Sequence, residues 1–371
     1  MIVLGAMSGT STDGVDVAAL QVDLQRGDLR FLGHHGQAFD AELQGKLLQL
    51  QEIPLRVASG EDPLGFMFAC RRELSLCYAS AVRMLMEQLG LATSDVDAIG
   101  AHGQTLRHRP DMGYTYQMLD GALLAAQSGV PVVCDFRSPD VALGGQGAPL
   151  VPAFHQAWLA SRGVYARSAV LNLGGFSNLT VMSASDHPVI GGDCGPANCL
   201  MDAWAQHRFG MPYDEGGKIA ASGVVQEDLL NLLLGHPFAQ KPWPKSTGRD
   251  EFNLSWLESM LDQHGKRVSN EDVMSTLLAM AVDLVKNCLP EQVDQLYVCG
   301  GGAKNDVFVT ELALRCAPVE VLPIENLGMP AMAVEALAFA WLAMRRINAL
   351  PGNCPSVTGA SRKAILGAVY I

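Results

Sequence analysis

Residues 2–22 read IVLGAMSGTSTDGVDVAALQV, two apolar runs joined by small and polar residues. The runs predict strands over Ile2–Met7 and Val15–Val22, with Ser8–Gly14 as the turn of a hairpin. The pattern returns near the middle of the chain, where Ser168–Leu173 and Asn178–Met182 read as strands around a turn at Gly174–Ser177. A second echo follows each hairpin. Helical periodicity over Phe66–Leu89 leads into a strand at Ala98–Ala101 that ends in His102-Gly103-Gln104-Thr105. Periodicity over Asp272–Cys288 likewise leads into Gln295–Val298, which ends in Gly300-Gly301-Gly302. Two echoes in the same order imply a duplicated α/β architecture with a cleft between related halves.

The chain has 371 residues, with 26 Lys and Arg against 38 Asp and Glu, a formal charge of -12. That length suggests two domains or one large α/β unit. Hydrophobic residues at 49% against 17% charged supply a core and argue against disorder. An acidic balance without any basic run argues against nucleic acid as a partner. Nine cysteines, an odd number with no CxxC pair, point to reduced thiols rather than a disulfide framework. The first residues lack the basic stretch and long apolar core of a signal peptide. Ala331–Met344, the most apolar late segment, contains Glu335 and is too short to span a membrane. A cytoplasmic protein without membrane association is expected.

Gly9, Thr10, Ser11, Thr12, Asp13, Gly14, Val15 and Asp16 form a turn whose N–H groups and hydroxyls can surround a phosphate. Asp13 and Asp16 suit a hydrated Mg2+, which prefers carboxylates and water. An ordinary hairpin turn has the same composition. The stretch is not a Walker A loop, because the nearest candidate, Gly216-Gly217-Lys218, continues with Ile219. No G-x-G-x-x-G follows the first strand, so a Rossmann dehydrogenase loses its main support. Gly174, Gly175, Ser177 and Asn178 make the matching turn, and two facing hairpins can clamp the phosphates of one nucleotide. Gly300, Gly301 and Gly302, with Asn305 behind them, follow a buried strand and open a helix. An adenine ring can lie against such a backbone, and a plain strand-to-helix turn reads the same way.

Asp193, set among glycines before a helix near Ala197, reads either as a general base or as a helix cap. His102 and Gln104 stand where a strand ends, the usual place for α/β ligand contacts. Arg137 can hold an anionic substrate through two hydrogen bonds or make a surface salt bridge. Gln146 lies on the Gly-rich loop that follows it. Glu335 interrupts an apolar helix and is expected to point into the cleft. Cys194 and Cys199 have no His in ligand spacing, so zinc is not expected.

In combination these motifs resemble the anhydro-N-acetylmuramic acid kinase family, within the sugar-kinase, heat-shock-chaperone and actin superfamily. The resemblance rests on MSGTSTDGVD at 7–16, HGQT at 102–105, GGQGAPLVP at 144–152, LNLGGFSN at 171–178, GGDCGPAN at 191–198 and KSTGRDEF at 245–252. It runs on to Glu335-Ala336-Leu337-Ala338-Phe339, nearly the whole chain. Cys194 departs from the family's Thr or Ser beside the key Asp. The resemblance implies a duplicated actin-like, ribonuclease H-like ATPase fold with two domains flanking an ATP cleft. Residues 1–150 with about 348–371 are expected in one domain and 151–347 in the other. It further implies ATP and Mg2+ as cofactors, Gly9–Asp16 at the phosphates and Asp193 as the catalytic base. The implied reaction converts 1,6-anhydro-N-acetylmuramic acid, ATP and water into N-acetylmuramic acid 6-phosphate and ADP, during recycling of bacterial cell-wall sugars. His102, Gln104, Arg137, Gln146 and Glu335 are the candidates for reading the sugar, and a homodimer is expected. The competing readings are another sugar or carboxylate kinase of the superfamily, and an actin- or chaperone-like nucleotide switch.

Overall fold

The structure, a computed structural model, describes residues 1–9, 12–52, 62–164, 167–182, 188–242 and 245–371. Thr10 and Ser11 of the expected phosphate turn lie outside the described residues. The chain forms two compact units, Met1–Gly163 with Ala333–Ile371, and Val164–Met332.

The first unit contains β1 (Ile2–Met7), β2 (Gly14–Asp23), β3 (Asp28–Ala38), β4 (Ala98–Ala101), β5 (Gln104–Arg109), β6 (Tyr114–Met118) and β7 (Val132–Cys134). The second contains β8 (Ser168–Leu173), β9 (Phe176–Val181), β10 (Ile190–Pro196), β11 (Gln295–Cys299) and β12 (Glu320–Pro323), and β13 (Ala368–Tyr370) returns to the first. The two main sheets run β3-β2-β1-β4-β7-β13 and β10-β9-β8-β11-β12. In each, the first three strands pair antiparallel and the next two add in parallel. This 3-2-1-4-5 order, occurring twice, is the ribonuclease H-like arrangement and makes the duplication a matter of topology. β5 and β6 form a separate two-stranded sheet.

The expected hairpins and crossover helices form where the apolar spacing put them. The helix Pro63–Leu89 starts on Asp62, whose carboxylate accepts the Leu64 and Gly65 N–H groups, and stops at Gly90 in the left-handed region. Cys70, Leu74, Tyr78, Val82 and Leu85 recur every three or four residues on its buried face. They pack with Leu4, Ala6, Val17 and Ala19 on one side of the sheet. Each such leucine or aromatic, fully buried, contributes roughly 1.5–3 kcal/mol. In the second unit the helix Asn270–Cys288 is capped by Ser269 and buries Leu277, Leu284 and Val285 with Leu171, Leu179 and Leu296.

The unit boundaries differ from the sequence expectation, which placed 151–347 together. The helices Val151–Ser161 and Val334–Ile347 both belong to the first unit. The cause is a backbone-to-backbone approach. A Cβ on Gly5 of β1 would lie 1.8 Å from the Ala336 carbonyl oxygen, and one on Gly100 of β4 2.0 Å from that of Phe339. These glycines let the Val334–Ile347 helix lie directly on the face of the sheet opposite the Pro63–Leu89 helix. Phe154 of the shorter helix then packs 6.4 Å from Trp341.

Candidate active site

Asp193, expected among glycines before a helix near Ala197, lies within strand β10, which leads into that helix, and is followed by a bulge before Gly195. Strand register places it opposite Asn178, and Asn178 opposite Asn172. Side chains directly opposite in adjacent strands share a face, with Cβ atoms roughly 4.5–5.5 Å apart. Three half-buried polar residues therefore form a row across β8, β9 and β10. Asn178, expected to touch phosphate in the turn, is a neighbour of Asp193 instead. Cys194 points the opposite way and is fully buried in the core, its thiol pushed up by burial and in contact with Cys288. The departure from Thr or Ser is thus a packing matter.

A capping role for Asp193 is not what the structure shows. The helix Asn198–Phe209 has Ala197 at its N-cap and no side-chain cap. Its first N–H groups go to the turn, Ala197 and Cys199 to the Gly175 carbonyl at 2.9 and 3.0 Å and Asn198 to that of Gly174 at 3.2 Å. The Asp193 carboxylate accepts the Thr247 N–H at 3.0 Å, and burial pushes its carboxyl up to about 6 against that hydrogen bond. A carboxylate at this value can take a proton from water near neutral pH.

The loop that supplies this N–H is anchored by residues whose roles sequence reasoning missed. Lys245 is buried, donates to the Phe238 and Ala239 carbonyls at 3.2 and 3.3 Å, and stacks 4.5 Å over the Phe238 ring. The Lys245 carbonyl accepts the Asp193 N–H at 2.9 Å. Thr247 donates its hydroxyl to Glu251 at 2.6 Å, which holds that carboxyl below its usual range. Nothing local in the sequence marks these contacts, although all three residues fall in the KSTGRDEF stretch.

The glycine turns of the second unit adjoin one another. A Cβ on Gly300, where φ is +83°, would lie 2.2 Å from the Asn172 Oδ1 and 2.9 Å from the Leu173 carbonyl oxygen. Only glycine permits both that backbone and that approach. Asn198 Nδ2 donates to the Leu173 and Gly174 carbonyls, tying the Gly174–Gly175 turn to the same point. With its carbonyls engaged by the helix, the turn is left to offer N–H groups to an anion. Ser177 is buried and donates to the Gly195 carbonyl at 3.1 Å, so it braces the turn internally. Asn305 caps the helix Asp306–Arg315 by accepting the Phe308 N–H at 3.0 Å.

In the first unit, His102 and Arg137 are brought together. Arg137 Nε donates to His102 Nε2 at 2.9 Å and Nη1 to the Gly147 carbonyl at 2.8 Å. His102 Nδ1 lies 2.8 Å from the Gly103 carbonyl. Because a guanidinium only donates and a carbonyl only accepts, the ring carries its proton on Nδ1. Both ring nitrogens are engaged, Nδ1 with the Gly103 carbonyl and Nε2 with Arg137. Burial and the neighbouring guanidinium hold this imidazole well below its usual range, neutral throughout the physiological pH range. Burial also pulls Arg137 down to about 10, with Glu335 and Asp140 opposing. Glu335, in the first turn of its helix, has its carboxyl pushed up by desolvation, with Arg137 opposing and Asp16 adding to the push.

Gln104 is fully buried and donates to the Gly9 carbonyl at 3.0 Å, on the expected phosphate turn. Gln146 is exposed beside Gly147. Asp13 is exposed as well, and Asp16 Oδ1 lies 2.8 Å from His34 Nε2. No cluster of three or more potential metal ligands occurs among the described residues. Mg2+ on a nucleotide needs only one or two carboxylates, with water and phosphate completing its shell, so Asp13 and Asp16 fit that demand.

Asp140, in the short helix Ser138–Val141, is what holds the Arg137 loop. It is fully buried and accepts the Gly147 N–H at 2.8 Å, Asn353 Nδ2 at 2.7 Å and the Thr358 hydroxyl at 2.8 Å. Asp140→Asn would set a new amide donor among three existing donors and is expected to destabilise the unit by about 2–3 kcal/mol. Urea denaturation followed by tryptophan fluorescence measures this, and an unchanged midpoint would count against the network.

The model of the family described as anhydro-N-acetylmuramic acid kinase matches residues 1–371. A Bordetella avium protein named anhydro-N-acetylmuramic acid kinase is 46% identical over 369 residues, covering 99% of this chain and 95% of that protein. One of the same name from Shewanella halifaxensis is 43% identical over 371 residues, covering 99% and 98%. With the match running end to end and the Asp193 motif seated on its own strand, the chain belongs to the anhydro-N-acetylmuramic acid kinase family.

Proposed function

We propose that this protein is an ATP-dependent kinase that opens 1,6-anhydro-N-acetylmuramic acid with water and phosphorylates the oxygen so released. The products are N-acetylmuramic acid 6-phosphate and ADP, a step in recycling cell-wall sugars. Family membership over the whole chain supports the reaction. The observation that carries the chemistry is Asp193, a half-buried carboxylate titrating at about 6 on a polar strand row.

The anhydro sugar has no free 6-hydroxyl, so an ordinary kinase base has nothing to deprotonate. Asp193 instead takes a proton from water as the water oxygen bonds to C1 and the C1–O6 bond breaks. The electron pair left on O6 attacks the γ-phosphorus, and ADP departs. One carboxylate serves both bond changes because they share O6. The N–H groups of the Gly9–Asp16, Gly174–Gly175 and Gly300–Gly302 segments are assigned to the nucleotide, and Arg137 to the carboxylate of the sugar. Asp13 and Asp16 would hold Mg2+ through water, and the ion would offset phosphate charge.

The test is a coupled ADP-release assay with the anhydro sugar, with the product's mass recorded. Sugar-dependent ADP release and a product heavier by phosphate plus water are expected. Phosphate added without water would indicate an ordinary sugar kinase, and release independent of sugar a nucleotide switch. The homodimer suggested by the family resemblance predicts twice the chain mass in light scattering. No helix among the described residues is long and apolar enough to cross a membrane, and a cytoplasmic site of action is part of the proposal.

A further inference from the structure

Thr12, in the middle of the turn assigned to the ATP phosphates, is buried and has φ +57°. A β-branched residue in the left-handed region is strained, and such a conformation persists only where its surroundings over-determine it. Two glutamines supply that determination. Gln51 Nε2 donates to the Thr12 hydroxyl oxygen at 3.2 Å, and Gln104 Nε2 donates to the Gly9 carbonyl at 3.0 Å and approaches the same hydroxyl at 3.5 Å. The Thr12 N–H closes the turn on the Gly9 carbonyl at 3.2 Å.

Gln51 is itself fixed. It ends the helix Ala41–Gln51, whose Leu43, Leu47 and Leu50 are buried. Arg107 closes that helix end, donating to the Leu50 and Glu52 carbonyls at 3.0 Å each. A guanidinium there suits the negative end of the helix dipole. Gln104 and Arg107 both belong to β5, so one short strand holds the turn directly and, through the helix end, indirectly.

We propose that Gln51 is a positioning residue for the nucleotide: with Gln104 it holds Thr12 in its left-handed conformation and so sets the direction of the Thr12–Asp13 backbone before ATP arrives. Preorganisation of this kind lowers the cost of binding and acts on ATP rather than on the sugar. The inference rests on the kinase reading above, and its test is therefore a binding measurement made without sugar.

Gln51→Leu and the milder Gln51→Asn, one methylene too short to reach, are compared with the wild-type full chain. Calorimetric titration with the nonhydrolysed analogue AMPPNP is expected to show a Kd about tenfold weaker for both, the effect of losing one well-placed hydrogen bond. KM for the sugar stays within about twofold, and the thermal midpoint within about two degrees. In a Thr12→Gly background, which needs no clamp and offers no hydroxyl, adding Gln51→Leu is expected to change Kd by less than about twofold. An unchanged Kd in both single variants would overturn the proposal, as would an equal loss in the Thr12→Gly background. A wild type that binds AMPPNP but leaves the anhydro sugar untouched would sink the kinase reading alone, because the Kd ratios still report on the clamp.

Discussion

Asp193→Asn is expected to lower sugar-dependent kcat by about 1,000-fold, to leave KM for ATP within a few-fold, and to raise the thermal midpoint at neutral pH. The first effect follows from removing the only group assigned to take the water proton, a role that contributes roughly 100- to 10,000-fold. The gain in thermal midpoint follows from linkage. Burial lifts the carboxyl from its ordinary 3.8 to about 6, so the folded protein binds this proton more tightly than the unfolded chain. The resulting stability is fully present below pH 3.8 and is lost as pH rises through 6. At pH 7.5 the ionised carboxylate therefore costs at most about 3 kcal/mol, and partial exposure reduces that to about 1–2 kcal/mol. Asparagine removes the charge yet still accepts the Thr247 N–H, so the variant keeps its fold while gaining stability. For the wild type, kcat/KM is expected to fall about tenfold per pH unit below 6. Scanning calorimetry at pH 7.5 and pH 4 separates the two effects, since the variant's advantage exists only at the higher value. An active Asp193→Asn, or one with no midpoint gain at pH 7.5, would contradict the assignment.

The Asp193 case also shows where a sequence stops being readable. The two hairpins and both crossover helices follow from apolar periodicity and glycine-rich turns, which are local signals. Strand register is not local. Asn178 reads as the edge of a turn until pairing sets it opposite Asp193, and Gly191–Pro196 reads as glycines before a helix until the strand pairs with β9. The hydrogen bond that opposes the burial of this carboxyl comes from Thr247, 54 residues further on. The Val334–Ile347 helix reads as part of the second half because it follows it in the chain. Only the approach of its backbone to Gly5 and Gly100 assigns it to the first sheet. Asp140 and Gln51 carry no motif at all, since a buried carboxylate with three donors and a surface glutamine look alike in one dimension. What the sequence marks well is backbone chemistry near a ligand, because glycine clusters are rare without a steric cause.

Arg137→Lys is expected to raise KM for the anhydro sugar about 100-fold and to leave KM for ATP nearly unchanged. The exchange preserves charge but not geometry. Arg137 reaches His102 Nε2 and the Gly147 carbonyl with two nitrogens held in one plane. A lysine ammonium is a single point and cannot span both, so one of two acceptors loses its donor in a largely desolvated place. Burial already pulls the guanidinium down to about 10, and a lysine in the same surroundings would hold its charge less firmly. Losing the donors proposed for the sugar carboxylate, together with one buried hydrogen bond, is worth about 3 kcal/mol, which corresponds to the 100-fold expected. Steady-state kinetics with each substrate varied in turn reads the split. A rise in KM for ATP instead would move Arg137 to the nucleotide and leave the sugar carboxylate without its assigned partner. An unchanged KM for both would reduce the His102–Arg137 pair to a brace for the Gly147 loop, which the Asp140 network already holds.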